Sequence, residues 1–293
     1  MLAATSVLSF AMLHAMPGDP VEIALAAWNT PATPERIGAL RREWGLDLPL
    51  AGQYLSWLGR FLTGDWGLSF RTGRPILREI VERLPVSAAL GFGSLAVACV
   101  LAVPLGFLAA RRPGGVADSI ARAINVLSQS VPSFGLALIL LWTLGVKLQL
   151  IRPFSGDIGP RLVLPILLLA FYSLGSLTRV YRTELLAAAR EPYFTTARAK
   201  GLSETRALWS HGHGAALFAM VAALGPEFGW IVGGTAVTEV VFALPGVSQF
   251  LVQSIGARDY FVLQAYVVVI AAWMLVVRTG VEGTLRLLEP RLR

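Results

Sequence analysis

Glu227 and Glu239 are the residues best placed to do chemistry in this chain, because the stretch 215–242 around them carries no other charge. Twelve residues apart, they would lie about 18 Å apart along a helix. Holding an ionisable group in a lipid environment costs several kcal/mol, so such groups mark a pathway or a partner. Glu227 is read as lying near a permeation path. Glu239, close to Pro245, is read as interfacial or structurally paired. Gly225, Gly229 and Gly233 recur at spacing four and offer a smooth face for close contact with another helix.

Other chemistry finds little support. A phosphate-binding Gly-x-x-x-x-Gly-Lys-Ser/Thr loop is absent: the two lysines, Lys147 and Lys200, are followed by Leu148 and Gly201. No Gly-x-Ser-x-Gly occurs. His211 and His213 diverge on a helix and have no further Cys or His nearby, so they read as a polar segment, not a metal pair. The single cysteine, Cys99, lies in an apolar run and packs as a small hydrophobe. The expectation is no catalytic residue, no metal and no cofactor in this chain.

Composition names the solvent. Of 293 residues, 55% are hydrophobic and 15% charged, against about 25% charged in a soluble domain. Mean hydropathy is +0.63. The charges cluster between uncharged stretches. The net charge of +7 suits loops meeting anionic headgroups, and no basic run with interleaved aromatics points to nucleic acid.

A membrane helix needs roughly 20 apolar residues. The sequence gives six spans, an all-α polytopic fold: about 2–16, 86–110, 120–148 (with a polar break at Ser128–Ser133), 162–177, 215–242 and 261–277. The first is short; a signal peptide competes, but without a basic start or a cleavage pattern it is read as a span whose start is truncated or misassigned. Loops 108–122, 179–213 and 278–293 hold 13 basic residues against 3 in 149–161 and 243–260, which places both termini in the cytoplasm. The domain reading is therefore a first helix at 1–16, an extracytoplasmic segment at 17–84, and a membrane core at 85–293 with a cytoplasmic loop at 179–214. In the outer segment, Thr33 caps a helix that begins with Pro34. Ile76, Ile80 and Leu84 make an amphipathic lead into the second span.

The loop 179–214 carries the strongest signal. Helical residues up to Lys200 meet Gly201, suited to the left-handed conformation that ends a helix. Ser203 then caps a second helix with Arg206 in its first turn. This elbow would expose Tyr193, Phe194, Leu202, Leu208 and Trp209 among Arg198, Lys200 and Arg206. Apolar anchors in a basic setting suit a partner's groove; a helix lying on lipid is the alternative.

Tyr193 and Thr196-Ala-Arg-Ala-Lys-Gly-Leu-Ser203 resemble the "EAA" coupling loop of ABC-importer permeases of the dipeptide/oligopeptide/nickel group. The resemblance covers nearly the whole chain. It includes Pro17-Gly-Asp-Pro20, Leu46–Leu50, Gly64–Ser69, Ser130–Phe134, Gly233-Gly234, Glu239–Phe242, Pro245-Gly246, Arg258–Tyr260 and Glu289-Pro-Arg291. Each is weak alone; their order is specific.

The resemblance implies a bacterial inner-membrane subunit paired with a second homologous permease in a heterodimer. Two cytoplasmic ATPases would hold ATP and Mg, and an external substrate-binding protein would deliver the cargo. The ATPase would take up the loop at Tyr193, Thr196, Ala197, Arg198, Lys200, Gly201, Leu202 and Ser203, with Ala197 keeping the contact close. The 225–233 glycine face would meet the partner permease. Peptides and metal chelates both fit, and the Thr33-Pro-Glu context is slightly closer to nickel-type members. The chain departs from the family at 211–219. The family's Arg-Asn pair and proline are missing there, and a smoother start to the fifth span is expected. An ion-coupled secondary transporter is the alternative, but its internal repeat is not seen.

Overall fold

The computed structural model describes residues 2–15, 18–152 and 154–288, except the side chains of Leu13, 230–234 and Leu288. Pro17 and the 289–291 stretch lie outside the described residues. Among the described residues the fold is all-helical, its one β pairing an isolated bridge between Leu68 and Pro75. In chain order the helices are α1 (Leu2–Ala15), α2 (Pro20–Ala27), α3 (Pro34–Glu43), α4 (Leu50–Leu62), α5 (Ile76–Arg111), α6 (Val116–Ser130), α7 (Ser133–Leu140), α8 (Ile158–Ala188), α9 (Pro192–Ala199), α10 (Glu204–Ala207), α11 (His213–Val241), α12 (Val247–Gly256) and α13 (Tyr260–Leu288). A π-helical turn, Leu141–Lys147, extends α7, and another, Leu208–Gly212, joins α10 to α11.

Among the described residues, four helical stretches are long and apolar enough to cross a membrane: Ile76–Arg111, Ile158–Ala188, Glu204–Gly229 and Tyr260–Leu287. A fifth forms if α6 and the α7 stretch, bent by 102° at their junction, count as one broken span. The polar break expected at 128–133 is that bend. Pro132 has no N–H to continue the helix, and Val131 takes extended geometry in front of it. The sequence-expected first span is α1, only 14 residues long.

The largest departure is α8. The sequence suggests a span of 162–177, yet the helix runs 31 residues to Ala188. Arg179, Arg182 and Glu184 suggested a loop, but they occupy other faces of a helix whose buried stripe continues through Leu177, Tyr181, Leu185 and Ala188. That stripe keeps the period of 3.6, so packing carries the helix past its apolar segment.

The described chain divides into two units. Residues 1–85 and 245–275 form one; 86–244 and 276–293 form the other. In the first unit, Ile76 and Ile80 are buried with Val247, Phe250 and Val262. Leu84, expected on the same face, is exposed. Trp44 stacks on Phe70 at 5.5 Å and meets Phe261 edge-on at 5.0 Å. Thr33 does precede α3, with Pro34 at its first position, though its side chain makes no capping bond.

Asp259 closes this unit. Its fully buried carboxylate accepts from the Ser69 hydroxyl at 2.6 Å and the Arg71 N–H at 3.3 Å. Burial pushes its pKa above the usual carboxylate range, and these hydrogen bonds offset only part of that rise. A raised folded-state value favours the folded form at acid pH, and that contribution is lost as pH rises through the raised value. Asp259→Ala leaves the Ser69 and Arg71 donors unpaired and is expected to cost about 1–3 kcal/mol. A melting curve of the purified complex in detergent reads this as a lower midpoint, whereas Asp259→Asn mainly flattens the pH dependence.

In the second unit α8 is central, with α6 and α11 packed on it. Gly175 of α8 lies hard against α6. A Cβ built there would lie 2.5 Å from Ser128 Oγ and 2.8 Å from Asn125 Cα.

Candidate functional site

The elbow forms as its residues require. Glu191 is extended in the N-cap position, Pro192 fills the first helical position, and α9 runs two turns to Lys200. Gly201 has φ +91°, where a side chain is strained. Its N–H donates to the Arg198 carbonyl at 2.9 Å, and the Leu202 N–H donates to the Ala197 carbonyl at 3.3 Å. The chain therefore reverses. Ser203 restarts the helix, its hydroxyl accepting from the Arg206 N–H at 3.4 Å.

The elbow's faces differ from the sequence reading. Phe194 and Leu208 are 4% and 1% exposed, not outward knobs, and Leu202 is partly buried. Phe194, Ala197, Ala207 and Leu208 pack with Leu177, Tyr181 and Leu185 of α8. Ala197 is small because it faces the chain's own core. The spacing of 194 and 197 puts both on one side of α9, which turns Tyr193, Thr196, Arg198 and Lys200 outward. Trp209 is also exposed, and Arg198 comes within 3.9 Å of Glu204.

Leu208–Gly212 winds as a π turn just before the fifth span, and from His213 the α-helix runs through 219 without a break. His213 Nδ1 pairs with the Tyr181 hydroxyl, and Trp209 stacks on the His213 ring at 4.4 Å. Phe107 meets Trp209 edge-on at 5.4 Å. Ring packing holds this junction in the absence of a proline kink.

Deeper along α11, Glu227 and Glu239 part company. Glu239 is fully buried and accepts from the Ser87 hydroxyl at 2.7 Å. Glu227 accepts from Ser173 at 2.7 Å and lines a cavity of about 590 Å³. Asn125, Ser128 and Gln129 from α6, Ser133 from α7, and Tyr172, Ser176 and Arg179 from α8 complete most of its wall. The bend positions this wall, and the Tyr172 hydroxyl donates to the Val131 carbonyl at 3.0 Å. Pro226, also lining the cavity, removes one backbone donor from α11 beside Glu227. A Cβ at Gly225 would meet nothing within 4 Å. Gly229 is partly exposed, and Gly233 lies where only the backbone is described.

Arg179 and its polar neighbours in the cavity were missed by the sequence reading. The signal was present: Ser173, Ser176 and Arg179 recur at spacing three within an apolar helix.

This helical architecture, with an elbow packed against α8, matches a known class. Residues 102–293 match the family described as binding-protein-dependent transport system inner membrane component, and 1–91 match its N-terminal region. The dipeptide transport system permease protein DppB of Lactococcus lactis subsp. cremoris is 34% identical, over 98% of this chain and 93% of its own length. DppB of Escherichia coli K12 is 30% identical over 98% and 94%. The glutathione transport system permease protein GsiC of Escherichia coli O1:K1 / APEC is 31% identical over 98% and 93%. A crystal structure of an amino acid ABC transporter with histidines shares the fold, with a TM-score of 0.54 and 18% identity over 73% of this chain and 94% of that one.

The chain belongs to the binding-protein-dependent transport system inner membrane component family and is a permease subunit of an ABC importer. The ion-coupled secondary transporter is left without support, despite the broken helix at Pro132. Its family places it in a membrane-embedded complex with ATPase and binding-protein partners.

Proposed function

We propose that this subunit imports peptides in a heterodimer with a second homologous permease, driven by two cytoplasmic ATPase subunits that hold the ATP and Mg. Peptides are favoured over metal chelates because the relatives above are named for dipeptide and glutathione transport. An external binding protein delivers the cargo, and both termini face the cytoplasm. The glycine face from Gly225 to Gly233 meets the partner permease, and Glu227 lies by the path.

The observation carrying this reading is the elbow. Its inner side is fixed to α8 by Phe194 and Ala197, while Tyr193, Arg198 and Lys200 project outward. A helix gripped by the ATPase from outside and by α8 from inside moves as a rigid body and carries that motion into the bundle. Peripheral anchors beside cations suit an acidic-rimmed cleft. With Tyr193→Asp and Arg198→Glu combined, the purified permease pair should retain at least tenfold less ATPase, and its melting curve should barely move, since both side chains are exposed. Full ATPase retention by that variant would remove the elbow as the docking site.

A further inference from the structure

The cavity beside Glu227 has a chemical polarity that the transport reading alone does not assign. Of the residues lining it, Glu227 and Arg179 are the charged ones, and they have opposite sign. Ser173, the hydrogen-bond partner of Glu227, lies six residues before Arg179 on α8, about 9 Å along the axis. The wall between is neutral and polar, with Asn125, Gln129 and Ser176 supplying both donors and acceptors. A volume of about 590 Å³ falls in the range of small-molecule sites, roughly 300–1,000 Å³.

We propose that this cavity is a binding subsite for the two charged ends of a short peptide, with Glu227 taking the α-ammonium and Arg179 the α-carboxylate. An extended tripeptide spans at most about 11 Å, close to the helical rise between Ser173, which holds Glu227, and Arg179. Charge-assisted hydrogen bonds at both ends recognise the termini, which every unblocked peptide shares. The side chains between them meet a wall that selects none strongly. The site therefore accepts many sequences and discriminates against blocked ends, because a blocked end leaves one pole unpaired. This inference rests on the peptide reading and deepens it.

The experiment uses the assembled permease pair and ATPases in detergent, without the binding protein, so that binding protein selectivity plays no part. Saturation-transfer NMR suits weak ligands; the probes are trialanine, N-acetyl-trialanine and trialanine amide. Trialanine should bind at least fivefold more tightly than either blocked form. Glu227→Gln should weaken trialanine at least fivefold and leave the N-acetyl form unchanged, while Arg179→Gln does the same for trialanine against the amide. No binding of any probe, or equal weakening of all three by either variant, overturns the subsite. Uptake of trialanine by the complete importer with its binding protein is measured alongside. Failure of that uptake sinks the peptide reading itself, whereas uptake without the charge pattern sinks only the subsite.

Discussion

Gly175→Ala is expected to reduce transport more than tenfold while the chain still inserts in the membrane. The added methyl would sit 2.5 Å from Ser128 Oγ and 2.8 Å from Asn125 Cα. Ser128 can rotate away, but the Asn125 backbone moves only if α6 moves. Overpacking of this kind costs about 1–3 kcal/mol. Here the strain is relieved by separating α6 from α8, and Asn125 and Ser128 both line the cavity wall. The geometry of the cavity changes before the fold is lost. Gly59→Ala in α4 is the control, since a Cβ there meets nothing within 4 Å. Uptake rates of the two variants, normalised to the amount of assembled complex, should differ by at least tenfold. Equal rates would mean that the α6–α8 contact is slack, or that the cavity it shapes does not serve transport.

Asp118→Ala carries the second large effect. Asp118 is fully buried in the first turn of α6. Its carboxylate faces Arg182 at 2.6 Å and Arg122 at 3.2 Å, and accepts from the Gly114 N–H at 2.8 Å. Arg182 is on the final stretch of α8, two turns from the elbow that follows. Removing the carboxylate strands a mostly buried guanidinium and releases the turn before α6. Breaking a buried pair costs on the order of 3 kcal/mol, somewhat less where the cation keeps some water. The melting midpoint of the complex should fall by several degrees. Asp118→Asn keeps an acceptor for Gly114 and should fall less. The same pair ties α6 to the end of α8, so ATP hydrolysis should persist in the Ala variant while uptake per ATP declines. An unchanged midpoint would contradict this account of the pair.

Much of the elbow was legible because its signals are local. Pro192, Gly201 and Ser203 each act on the backbone within a few residues, and their order dictates helix, reversal and helix. The direction each side chain faces was not legible. Phe194 and Leu208 look like anchors for a partner until the neighbouring α8 is known. The length of α8 was misjudged because Arg179 and Arg182 break the apolar run without breaking the helical period. The Asp118–Arg182 pair joins residues 64 positions apart and leaves no local trace. The pairing of 245–275 with the first 85 residues was equally hidden, since it rests on contacts such as Ser69 with Asp259. Glu227 and Glu239 were visible as acids within an apolar stretch. Only their hydrogen-bond partners and the adjoining cavity tell the two apart: Glu239 is enclosed beside Ser87, whereas Glu227 opens on the cavity.

The central claim is that this chain moves cargo only as part of an ATP-driven assembly. The most direct measurement is uptake of labelled trialanine into proteoliposomes holding this chain, its partner permease and the ATPases, with binding protein outside and ATP inside. Uptake should appear with ATP and vanish when the ATPases, the binding protein or ATP is left out. Accumulation by this chain alone, driven by an ion gradient, would contradict the account.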